Sequence, residues 1–119
     1  MIKDNNNNLI WLDLEMTGLG DEHVILEVAI IITDEKLNIV DKFPDSKLGL
    51  AIKRSEEELS KIEPWSLNQH TKSGLLERSK NRSALSIKHK TWLLNLYRKE
   101  LSQIKVFCVG FQFGLIENF

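Results

Sequence analysis

Two carboxylates stand two residues apart at the end of an apolar run, where Leu9-Ile10-Trp11-Leu12 leads into Asp13-Leu14-Glu15. A short apolar run behind a polar, Asn-rich lead-in reads as a buried strand over Leu9–Leu14. Residues i and i+2 of a strand share a face, so Asp13 and Glu15 present their oxygens side by side. Like charges held that close repel, and either a cation or a shared proton relieves them. Hard carboxylate oxygens suit Mg²⁺ or Mn²⁺, ions that activate water and stabilise displacement at phosphorus. The triplet alone does not decide for a metal, because most Asp-x-Glu triplets are solvated strand edges or turns. Two neighbours favour one. The strand is apolar, and Thr17-Gly18 follows it, a turn-like pair that lets backbone approach a ligand.

The rest of the chain supports a single α/β domain. Asp21-Glu22-His23 reads as a turn and Val24–Thr33, rich in β-branched residues, as a second strand. Leu37–Phe43 alternates weakly and makes a third, closed by Pro44-Asp45, so the first three strands form an antiparallel meander. Ser55 with Glu58 three residues on is a capping-box pattern that opens a short helix to about Ile62. Pro64 ends that helix and starts a turn. Ser73–Lys80 reads as helical. Ser83 caps a longer helix to about Ser102, with Leu85, Trp92, Leu93, Leu96 and Leu101 near helical spacing. Ile104–Val109 makes a fourth strand. Strands, then helices, then a strand predict a mixed sheet with flanking helices.

Composition narrows the classes. At 119 residues and 42 % apolar, the chain has room for one modest core. A net charge of −1 gives no overall pull toward nucleic acid. The charge is uneven, however: Arg78, Lys80, Arg82, Lys88, Lys90, Arg98, Lys99 and Lys105 face only Glu100 in that stretch. Such a stretch suits a polyanion or, more commonly, a solvated helix face. A single cysteine, Cys108, excludes an internal disulfide and fits a reducing compartment. No secretory or membrane-spanning pattern is visible, and the expected location is cytoplasmic.

Three segments carry a resemblance. Asn8–Leu19, containing Leu12-Asp-Leu-Glu-Met-Thr-Gly-Leu19, resembles the first exonuclease motif of the oligoribonuclease family. Those are DEDD-type 3′→5′ exonucleases of the subtype with a histidine base. Pro64-Trp65-Ser-Leu-Asn-Gln-His70-Thr-Lys-Ser-Gly74-Leu75 is a second match, and Val24–Ala29 with Glu27 a third. The likeness runs from about Asn8 to Leu101. It implies a ribonuclease H-like exonuclease fold, a homodimer, and hydrolysis of short RNA oligonucleotides to mononucleotides by two-metal catalysis with Mg²⁺ or Mn²⁺. Carried over by position, Asp13 and Glu15 are catalytic metal ligands. Leu19 and Trp65 wedge or stack against the bases, and His70 sits near the substrate's phosphate end. Each also has a plainer reading. Leu19 caps a core, Trp65 anchors a turn, His70 is a hydrogen-bonded surface histidine, and Glu27 is a structural charge partner rather than a ligand.

The family's pattern also includes a third carboxylate in a Cys-Gly-Asn-Ser region, then a base histidine and a last aspartate. None of these has a counterpart in the 119 residues, and His23, His70 and His89 do not occupy the base position. Residues 1–105 therefore read as the N-terminal part of the exonuclease domain. Residues 106–119 read as out-of-frame sequence: back-translated and shifted, they permit Leu-Cys-Gly-x-Ser-Val-Trp-x-Asp-Arg-Lys-Phe, close to the absent motif except for its Asn. The expectation is an exoribonuclease by family, incomplete at its C-terminus and inactive as written, with dimerisation doubtful. The alternative is a non-catalytic remnant that still binds metal or short RNA.

Overall fold

A computed structural model of the chain describes residues 7–81, 86–99 and 105–108. Its centre is β1 (Leu9–Met16), which pairs antiparallel with β2 (Ile25–Thr33) and parallel with β5 (Lys105–Cys108). On the other side of β2 lie β3 (Ile39–Phe43) and the two-residue β4 (Leu50–Ala51), both antiparallel to it. The sheet order is β3-β2-β1-β5, with β4 also on β2. Among the described residues, four helices follow β4 before β5: α1 (Glu56–Ser60), α2 (Pro64–Lys72), α3 (Leu75–Asn81) and α4 (Ile87–Lys99). This is the expected mixed sheet with flanking helices, consistent with a ribonuclease H-like fold.

Pairing register decides which face carries what. Ile10 stands opposite Ile32, Leu12 opposite Ile30 and Leu14 opposite Val28. Ile10, Ile30 and Ile32 build the larger apolar cluster with Phe43, Leu50 and Leu96 of α4, and Leu12, Val28, Trp92 and Leu93 pack against it. Trp92 stacks on Phe43 at 4.8 Å and its Nε1–H donates to Asp41. The opposite face of the same strands carries Trp11 against Ile31, Asp13 against Ala29 and Glu15 against Glu27. A bulge between Glu15 and Met16 then breaks the alternation. Leu26 there is fully buried, in a second cluster with Ala51, Leu59 of α1 and Leu75 of α3.

Several local expectations shift. Pro64 does not make a turn; it is the first residue of α2. A proline at that position loses nothing, since its absent N–H would have no partner in the helix and its φ is already helical. The capping box at Ser55 forms as expected, yet α1 ends at Ser60, short of Ile62. The third helix starts at Leu75 rather than Ser73, after Gly74 at φ 80°, a conformation that favours glycine. β3 starts at Ile39, because Leu37 lies in a turn closed on Asp34. Ser86 accepts the amide hydrogen of His89 at the start of α4. The expected cap Ser83, together with Leu85 and Leu101, lies outside the described residues, as does the segment 109–119 of the expected out-of-frame tail.

Candidate active site

Asp13 and Glu15 are both buried and share the sheet face opposite the main apolar cluster. Glu15 sits directly across from Glu27 on β2, an arrangement in which like charges oppose each other. Glu27 is held by Arg78 of α3, whose Nη2 donates to Glu27 Oε2 at 2.6 Å and to the Gly49 carbonyl at 2.7 Å. This contact is the structural charge partnership that the sequence left open for Glu27. A cavity of about 540 Å³ adjoins the face, lined among others by Asp13, Glu27, Ala29, Lys42, Lys47 and Gly49. It therefore combines carboxylates for a cation with ammonium groups for an anion.

In type, the two carboxylates suit a hard divalent cation. In number they fall short. Among the described residues no group of three or more His, Cys, Asp or Glu side chains is placed to hold a metal ion.

Beyond β1 the chain turns through Thr17–Val24, and α2 docks on the turn at two points. The Glu63 N–H donates to the Thr17 carbonyl at 2.9 Å. About two helical turns further in, His70 Nε2 lies 2.8 Å from the Met16 carbonyl, and since a carbonyl only accepts, Nε2 donates. His70 is thus buried and ties α2 to the end of the carboxylate strand, whereas the plainer reading expected a surface histidine. Leu19 and Trp65, expected against the bases, are 72 % and 43 % exposed. Leu19 is not a core cap. Trp65, second residue of α2, stands on the helix that meets the carboxylate strand.

Sequence reasoning missed three residues that shape this region: Arg78, His23 and Glu63. Arg78 was seen only as part of a basic stretch. His23 reads from sequence as part of a turn and not as the base, yet its ring lies 3.1 Å from Glu63 and 3.0 Å from Thr17. No local signal in the sequence joins Arg78 to Glu27, 51 residues away, or His23 to Glu63.

Comparison with known proteins places the chain in a family. Residues 10–96 match the family model described as Exonuclease. The chain is similar to the oligoribonuclease of Vibrio vulnificus (strain CMCP6), 55 % identical over 74 residues that make up 61 % of this chain and 39 % of that protein. It is 49 % identical over 88 residues to the oligoribonuclease of Colwellia psychrerythraea (strain 34H / ATCC BAA-681), covering 73 % of this chain and 46 % of the relative. The chain spans less than half the length of these curated relatives.

Proposed function

The chain belongs to the exonuclease family, and from that membership we propose that it carries the N-terminal half-site of an oligoribonuclease, a 3′→5′ exoribonuclease acting on short RNA. One observation carries the reading: the strand end that buries Asp13 and Glu15 on one face is bonded to the helix that exposes Trp65, beside the turn that exposes Leu19. Those parts divide naturally. Trp65 offers a ring for a base, worth about 1–3 kcal/mol and indifferent to base identity, and Leu19 offers an apolar edge beside it. His70 keeps α2 in place through the Met16 carbonyl. Asp13 and Glu15 would hold a divalent cation such as Mg²⁺ or Mn²⁺ near the substrate phosphate. Such a cation, when bound, supplies Lewis-acid activation of water and charge neutralisation at phosphorus.

With two carboxylates as the donor set among the described residues, the 119 residues on their own bind short RNA and do not turn it over. The test is incubation of the chain with a labelled RNA dinucleotide and Mn²⁺, following both retention and cleavage. Retention that falls on Trp65→Ala, with no cleavage, is expected. Cleavage that Asp13→Ala abolishes would refute the inactivity. Absence of retention at millimolar chain would refute the half-site itself. A second reading, that positions 106–119 are frame-shifted, is tested on the gene. Its DNA read in the shifted frame beyond Val106 must continue into an oligoribonuclease-like sequence.

A further inference from the structure

Between the end of β1 and the start of α2 lies a polar knot that the proposed chemistry leaves unused. The Val24 N–H donates to Thr17 Oγ1 at 3.0 Å, and the same oxygen lies 3.0 Å from His23 Nδ1. Across the ring, Nε2 is 3.1 Å from Glu63 Oε1 and 3.3 Å from Glu22 Oε1. Carboxylates only accept, so Nε2 carries a hydrogen and donates. The His23 side chain is 5 % exposed. Gly18 passes through the gap between these groups. A Cβ there would lie 2.5 Å from His23 Nε2 and 2.6 Å from Glu63 Cδ. Any larger residue at 18 would have to push the knot open.

Leu19 and Trp65 flank this knot. Leu19 follows Thr17 by two residues and Trp65 follows Glu63 by two, and Thr17 and Glu63 are joined backbone to backbone. Leu19 is 72 % and Trp65 43 % exposed, so full burial in the core does not set the separation between them. The turn and the helix that carry them are joined through the His23 ring. A ligand that touches two groups at once gains from both only if their spacing is already set; otherwise ordering the loop cancels part of the gain.

We infer that His23 and Glu63 are positioning residues that hold Leu19, on the turn, and Trp65, on α2, at a fixed spacing. The inference rests on the reading that Leu19 and Trp65 contact bases. Its test compares two probes, a 5′-phosphorylated RNA dinucleotide and the matching mononucleotide, by calorimetric titration in Mg²⁺. A reduced folded fraction weakens both by the same factor, so the ratio of the two affinities reports geometry alone. Glu63→Ala, Gly18→Ala and His23→Phe are each expected to weaken dinucleotide binding about tenfold, the scale of one base contact, with mononucleotide binding changed less than about twofold. His23→Gln keeps an N–H donor toward Glu63 and restores most of the ratio. Glu63 is 44 % exposed, so its truncation leaves the fold intact even where the His23 variant does not. A ratio kept by Glu63→Ala and Gly18→Ala but lost in Leu19→Ala and Trp65→Ala overturns the positioning role alone. A ratio near one in the unchanged chain, or one unmoved by Leu19→Ala and Trp65→Ala, overturns the base-contact reading and the positioning role with it.

Discussion

Removing Arg78 tests the electrostatics of the carboxylate face directly. Its Nη2 holds Glu27 at 2.6 Å and the Gly49 carbonyl at 2.7 Å, while Glu27 stands across the sheet from Glu15. Hydrogen bonds to a charged group are worth about 1.5–3 kcal/mol each. The Arg78 and Glu27 side chains remain 29 % and 15 % exposed, so water recovers part of that loss. The leftover cost is the repulsion between the Glu15 and Glu27 carboxylates. At an effective dielectric near 20 and a separation of about 6 Å it amounts to roughly 3 kcal/mol as an upper bound. Arg78→Ala is therefore expected to destabilise the chain by about 2–4 kcal/mol. Glu27→Gln removes the charge but keeps an acceptor, and should cost about 1 kcal/mol. The double variant should be about 1–2 kcal/mol more stable than Arg78→Ala, because it no longer leaves a bare carboxylate facing Glu15. Urea unfolding followed by circular dichroism, with a double-mutant cycle, measures all of these. A loss under about 0.5 kcal/mol for Arg78→Ala, or strict additivity in the double variant, would show that the pair does not compensate Glu15.

Leu26→Ala should cost about 2–5 kcal/mol by urea titration, since Leu26 is fully buried beneath α1 and α3 and the cavity has little room to collapse. Ser55→Ala removes the hydroxyl that accepts from the Glu58 amide and should cost about 1 kcal/mol, read as a lower thermal midpoint. Acid stability has a definite sign. The Asn38 side-chain amide, foremost, holds the Asp34 carboxyl below its ordinary value of 3.8. The Ser55 backbone N–H likewise holds Glu58 below 4.5. A group depressed in the folded state stabilises fully above its unfolded value and loses that contribution as pH falls through the folded value. The unfolding midpoint should thus be flat on this account above about pH 5 and decline below it. Asn38→Ala should raise the Asp34 titration toward 3.8 by NMR, and an unchanged titration would contradict the assignment.

Much of the fold was legible because its signals are local. The runs at Leu9–Leu14 and Val24–Thr33 became β1 and β2 with the antiparallel pairing expected of a meander. Trp92, Leu93 and Leu96 met the sheet as their helical spacing implied. β4 escaped notice because two residues, Leu50 and Ala51, carry no periodicity. Pro64 was misplaced because a proline stops one helix and starts another with the same backbone angle, and only the chain around it chooses. The site divides the same way. Asp13 and Glu15 share a face by strand geometry alone, whereas the exposure of Leu19 and the burial of His70 depend on where α2 docks.

By itself the sequence determined what alternates and what caps: strand faces, a capping box, and a carboxylate pair at a strand end with the flanking motif of an exonuclease. These depend on contacts within a few residues, which chain order alone imposes. The tertiary structure decided the partners. It set Glu27 across from Glu15 and brought Arg78 to it from a helix 51 residues away. It also closed the His23 ring between Thr17 and Glu63. Charges and hydrogen bonds act through space, so which of them meet is settled only when the sheet register and the docking of α2 and α3 have been chosen.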